Sequence, residues 1–251
     1  MDSIRRSGFL AVLAFFLISA GIAVPAVYQA NAKKDRNDTV NILKQFGLAA
    51  HGAHDVYNKF PQISGPLGAK DSTLHFQLLP FIEQAVVYNN DDLSASIEVY
   101  RAPGDRSALA GGVFKKVYGS TNFPGNWLVF KGGPRAPGFS TLAAIANMNG
   151  TSNTLMFAQR YQMCSGTPCL WGYSQYYYWA PMFGYYSRGK FQVHPPQETC
   201  NPALPQSILR DGIAVGMCDG SVRVWGDNVG AEIWGYALDP ANNTPFQAPE
   251  G

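Results

Sequence analysis

Charged side chains are scarce in this chain: they make up 14% of 251 residues, and the formal net charge is +2. With so small a cationic surplus and no stripe of clustered Lys and Arg, nothing is there to track phosphates, and no nucleic-acid partner is expected. Catalytic signatures are missing too. There is no G-x-S-x-G elbow, no phosphate-cradling glycine loop and no H-E-x-x-H helix. The expectation is a non-enzymatic protein with no catalytic residue, no cofactor and no metal. Histidine is sparse, with four residues. His51 and His54 stand three apart with Asp55 beside them, a spacing that can hold a metal but that reads better as the polar side of an exposed helix. His75 and His194 have no evident partners. Internal repeats and low-complexity runs are absent as well.

Glycine (26), proline (17) and aromatic residues (13%) are plentiful. That balance points to a turn-rich β structure rather than a helical bundle. One long hydrophobic run stands out, Phe9–Tyr28, FLAVLAFFLISAGIAVPAVY, without a charge in it. As a helix it reaches about 30 Å, the thickness of a bilayer's hydrocarbon core, and Gly21 and Pro25 are tolerated in such helices. Membrane lipid is therefore an expected partner. Val40, Leu43, Phe46, Gly47 and Ala50 continue a helical stripe. The expectation is one helix from about Ser7 to His54, half in lipid and half outside. Arg5 and Arg6 favour a cytoplasmic N-terminus, although Lys33, Lys34 and Arg36 flank the other end.

The expected fold class is α+β: a long N-terminal membrane-spanning α-helix followed by a β-rich globular domain with an antiparallel sheet. The expected division is a head at 1–8, a transmembrane part at 9–28 and an outer stalk at 29–55. A linker at 56–72, the domain at 73–240 and a flexible tail at 241–251 complete it. About 190 residues beyond the helix suffice for one domain with its own core. Phe60–Gly68 reads as a Pro/Gly linker and Leu74–Asn90 as a helix around Pro80. Ile97–Arg101, Val113–Tyr118 and Asn126–Phe130 alternate like strands. Asn149–Thr154 forms a polar turn before a buried strand, Leu155–Ala158. Asn147 and Asn149 lack the carboxylates that calcium wants there. Ile213–Cys218 and Ser221–Trp225 flank Asp219-Gly220, which reads as a hairpin with a primed turn. Ile233–Asp239 reads as one short element.

Trp171–Phe191 holds ten aromatic residues in twenty-one. Strands lining a core would use such residues. An exposed run would instead stack on sugar rings or anchor an interface. Trp171, Tyr176, Tyr177, Tyr178, Trp179, Tyr185 and Tyr186 are accordingly the candidate surface for a glycan, a solute or a partner. The four cysteines fit disulfides in an oxidising compartment better than a zinc site, since no His lies close beside them. Cys164 and Cys169 bracket a tight loop and leave Cys200 and Cys218 for each other, while three pairings remain open on sequence.

RRSGF ahead of the apolar run resembles a type IV prepilin leader, with Gly8 before the scissile bond and Phe9 as the mature N-terminus. Over PAVYQANAKKDRNDTVNILKQFGLAAHGAHDVYNKFP the chain resembles a large bacterial family of prepilin-like proteins of unknown function. Pro25, Leu43, Lys44, Gln45, Gly47, Leu48, Ala49, His54, Asp55 and Pro61 carry that likeness. Gly150–Thr154 and Asp219-Gly220 extend it. The family's C-terminal signature is His, nine residues, then Asp-Gly, and its His position is Leu209 here. A glutamate usual at the fifth mature position is Leu13. The resemblance implies a membrane-anchored pseudopilin-like protein of a type II secretion or type IV pilus-like system. Its partners would be a prepilin peptidase and other pilin-like subunits. It would be a single-pass protein of the bacterial inner membrane, its domain in the periplasm or at the cell surface. A tethered solute- or glycan-binding domain is the alternative.

Overall fold

The computed structural model describes residues 2–131, 141–175 and 177–250, with side chains of the first helix from Val27 onward. Helix α1 runs without a break from Asp2 to Tyr57. Its C-terminal half is the spine of the molecule. Leu43, Phe46, Ala49, Ala50 and Ala53 are all buried, the three- and four-residue recurrence of a helix with one face in the core. Phe46 is ringed by Tyr100, Phe123, Phe157 and His75, with centroids 5.1–5.5 Å away. Burying a side chain of that size is worth about 1.5–3 kcal/mol before packing terms are added.

Beyond α1, short elements follow closely. A hairpin pairs β1 (Ser64–Leu67) with β2 (Lys70–Thr73). Next come α2 (Leu74–Leu78), a 3-10 turn over Leu79–Ile82, and α3 (Ala85–Asn89). β3 (Val113–Phe114) pairs with β4 (Tyr118–Gly119), and β5 (Gly125–Asn126) precedes α4 (Leu142–Ala146) and β6 (Leu155–Ala158). β7 (Met163–Cys164) and β8 (Thr167–Pro168) form a small hairpin. β9 (Met182–Phe183), β10 (Gln192–Val193), β11 (Gln206–Ser207), β12 (Ile213–Met217), β13 (Val222–Trp225) and α5 (Ala231–Leu238) complete the chain.

One sheet has five strands in the order β13-β12-β6-β5-β9. Its first three pairings are antiparallel, and β5–β9 is parallel. Side chains on β12 alternate between faces. Ala214 joins the cluster around Phe46, whereas Ile213, Val215 and Met217 join Trp225, Trp234 and Leu238. α1 and α5 therefore cover opposite faces of the sheet. The approach of α1 is close because two glycines meet: a Cβ on Gly47 would stand 3.3 Å from Gly220 Cα.

These observations correct the expected fold class. The protein is mixed α/β, with a few short helices, one sheet of mixed direction and several two-residue ladders, rather than a β-rich domain on an antiparallel sheet. Among the described residues no helix is long and apolar enough to cross a membrane. The described side chains of α1 begin at Val27 and soon reach Lys33, Lys34, Asp35, Arg36 and Asp38, a composition no bilayer core accepts. Those of Phe9–Ala26, like Gly8 and Leu13, lie outside the described residues.

Several local expectations change for identifiable reasons. The single helix expected over Leu74–Asn90 is broken, since Pro80 has no amide to donate and Glu83 takes a left-handed conformation at φ 63°. Glu98–Tyr100 is a 3-10 turn, not a strand. The expected 56–72 linker holds all of the β1–β2 hairpin except Thr73. The 241–251 tail, expected to be flexible, packs down as far as it is described: Ala248 is buried, and Trp225 Nε1 donates to Pro249 O at 3.0 Å. At the Asp219-Gly220 hairpin only Gly220 has positive φ, at +84°. Met217 O accepts from Gly220 N, and Met217 N donates to Ser221 O. That is a tight turn closed by one left-handed glycine, not a primed turn. Cys218 N and Asp219 N donate to Thr154 O and Thr151 O, so the turn is bonded to the neighbouring loop.

Candidate functional site

The four cysteines do not pair as the loop length suggested. Cys164 is bonded to Cys200, with Cα atoms 5.6 Å apart, and Cys169 and Cys218 are free and buried. The Cys200 turn docks across the β7–β8 hairpin: Ser165 N donates to Gln197 O at 2.8 Å, and Ser165 Oγ to Glu198 O at 3.1 Å. Those contacts place the two sulfurs together. Burial pushes the Cys169 thiol up to about 11 and the Cys218 thiol up as well. Protonated thiols of this kind are poor nucleophiles.

The aromatic run divides. Trp171 is buried, with Nε1 donating to Ala95 O at 3.0 Å and its ring against Tyr100. Trp179 is half-buried between Phe114 and Tyr173. Tyr177, Tyr185 and Tyr186 are exposed. Tyr186 stacks on half-buried Tyr178 at 4.2 Å and meets Tyr185 edge-on at 4.7 Å. Tyr176 lies outside the described residues. Arg160 is fully buried beneath this loop and donates to Tyr178 O at 2.7 Å and Ala180 O at 3.4 Å. Burial lowers its pKa, yet the loop carbonyls keep the guanidinium bonded. A buried arginine fixing an aromatic loop could not be foreseen from sequence, because its partners are backbone atoms.

The stalk histidines belong to the fold. His51 Nε2 donates to Cys218 O at 3.0 Å, and His54 Nε2 accepts from Leu142 N at 3.2 Å. Among the described residues no three His, Cys, Asp or Glu side chains come together as a metal site. His75 is buried, with Nε2 donating to Phe123 O at 2.9 Å and Nδ1 without a partner. Burial lowers its pKa to about 4, and the Phe123 bond resists the shift.

A cavity of about 540 Å³ lies between the outer part of α1 and the 208–211 segment. Ile208 and Leu209 form its apolar part, and His194 lines it. Lys33 and Arg36 enter from α1, Arg106 from the loop after Gly104, and Arg210 from the opposite wall. Arg36 is ion-paired with Asp211, and Arg210 lies over the Tyr28 ring at 4.8 Å. Leu209, where the resemblance places a histidine, is thus part of this wall. The basic residues at 33, 36, 106 and 210 come from three separated segments, so nothing in the sequence announced that they converge.

A family model described as "Protein of unknown function (DUF1559)" matches residues 36–114. The match covers the end of α1 through β3 and shows similarity to that family over this part of the chain. No curated protein and no solved structure matches.

Proposed function

We propose that this chain is a non-enzymatic structural subunit of a pilin-like or type II secretion-like assembly. In this reading α1 serves as core spine along one half and as docking element along the other. The observation that carries the reading is the contrast within α1: Leu43–Ala53 supplies buried core, whereas Val27–Lys34 is exposed. Helical projections of this kind bind other helices through side chains three and four apart. The leader-like Arg5-Arg6-Ser7-Gly8-Phe9 supports processing by a prepilin peptidase. The Cys164–Cys200 bridge supports an exported domain.

Cysteine placed at Ala32, with the protein expressed in its native host, tests the reading. Crosslinks from that position to a second copy or to pilin-like subunits are expected. Exclusive crosslinking to unrelated proteins would refute it. Intact mass decides the processing step, with Phe9 expected as the first residue.

A second reading, a solute- or glycan-binding domain, is favoured by the exposed Tyr177, Tyr185 and Tyr186 rings. Aromatic faces stack on sugars. Saturable glycan binding lost on Tyr186→Ala would favour it over the assembly reading.

A further inference from the structure

We propose that the cavity between α1 and the 208–211 segment is a binding site for a small hydroxylated carboxylate of the sugar-acid class. Its position is separate from the tyrosine face, and the inference rests on neither reading above. Four cations line the cavity, Lys33, Arg36, Arg106 and Arg210, against two carboxylates, Asp35 and Asp211. The positive excess is not consumed by the protein. Arg36 and Asp211 neutralise each other, which leaves Lys33, Arg106 and Arg210 against the single carboxylate of Asp35. Lys33 and Arg106 have no hydrogen bond or ion pair among the described residues. A guanidinium is a planar fork whose paired N–H groups match a carboxylate.

Shape and polarity narrow the ligand. A volume of about 540 Å³ falls in the range of about 300–1,000 Å³ typical of small-molecule sites. Buried Ile208 and Leu209 offer a carbon skeleton an apolar bed. Gln29 and Asn31 line the cavity from α1 with amide groups, which can donate to a hydroxyl and accept from one. Burial and the neighbouring Arg210 and Arg106 lower the His194 pKa against a backbone bond to Ile208, so the ring adds no cation to the rim. Apolar bed, cationic rim and amide groups together describe a carbon chain or ring carrying both carboxylate and hydroxyl groups.

The test is calorimetric titration of the full chain with galacturonate, gluconate, galactose, acetate and inorganic phosphate. Saturable binding of galacturonate or gluconate is expected, with no saturation by galactose or acetate. Arg106→Gln and Lys33→Gln change exposed residues and leave the core untouched. Each should weaken binding of the acid by about tenfold or more, as loss of a charged hydrogen bond does. The proposal is overturned if neither acid saturates. It is equally overturned if acetate or phosphate binds as well as the sugar acids, or if both variants retain full affinity. Since glycan binding at the tyrosine face would respond to Tyr186→Ala and not to Arg106→Gln, failure here stays distinct from failure of that reading.

Discussion

Two halves of one helix behave as different materials. Between Leu43 and Ala53, α1 is core: its apolar face meets the sheet, glycines let its backbone approach the β12–β13 turn, and its histidines bond to neighbouring loops. Between Val27 and Asp38 the same helix is mostly exposed and charged, with Asp35, Arg36 and Asp38 half-buried, and its only long-range ion pair is Arg36 with Asp211 among the described residues. No change of backbone marks the border. Helix propensity carries through both halves, so the difference lies wholly in which side chains find partners. A continuous helix is thus compatible with an abrupt change of role, and the change is readable in burial alone.

Mutation at the centre of the embedded half should give the largest effect. Phe46 is 1% exposed and packed among four rings. Phe46→Ala should cost about 3–5 kcal/mol in denaturant unfolding, the transfer and cavity terms acting together. A loss below about 1 kcal/mol would mean that α1 is not the spine of the fold.

Next in size is the bridge, which lies away from both halves. Cys164 and Cys200 are 36 residues apart, and opening a loop of that size should cost about 2–4 kcal/mol. Reduction should lower the unfolding midpoint while helical dichroism under native conditions stays unchanged. Non-reducing peptide mapping should recover the 164–200 link and two unmodified thiols, at Cys169 and Cys218. A 200–218 link would reverse that assignment.

A pH-dependent contribution sharpens the comparison further, because His75 packs on Phe46 at 5.5 Å. Its folded pKa is lowered to about 4 from the ordinary histidine value of 6.5. The unfolded chain therefore binds the proton more readily than the folded one, and stability falls as pH drops through this window. Between about pH 7.5 and pH 5 the loss should be about 2 kcal/mol. Denaturation midpoints measured across that range check it, and His75→Gln should flatten the slope. An unchanged slope in the variant would assign the effect to other groups.

Much of this arrangement was legible beforehand, and the reasons differ by region. Leu43, Phe46, Gly47 and Ala50 announced the buried stripe through their spacing, because a helix repeats every few residues whatever it packs against. Leu155–Ala158 and the strands around Asp219-Gly220 were legible for the same local reason. Contacts between distant segments were not. Cys164–Cys200 depends on where the 197–200 turn lands, and the broken helix at Pro80 depends on Glu83 accepting positive φ. Trp171 sinks into the core while Tyr186 surfaces, although both belong to one aromatic run; composition recorded the rings but not the carbonyls that Arg160 holds. The candidate cavity was hidden most completely, since its cations come from three separated segments with no shared pattern.

The smallest expected effect is also the most discriminating test of the two-sided helix. Leu48 lies two residues from Phe46 and is 73% exposed, pointing away from the face that meets the sheet. Having little to lose from the isolated fold, Leu48→Ser should change stability by no more than about 0.5 kcal/mol. A loss like that of Phe46→Ala would show that both faces of this half are covered within the chain. If the assembly reading holds, this exposed leucine belongs to the surface on which a neighbouring helix packs. Crosslinking between cysteines placed at Ala32 should then decline in the Leu48→Ser background while unfolding midpoints coincide. Unchanged crosslinking would confine partner contact to the outer half of α1, making the division between core and docking segments sharper still.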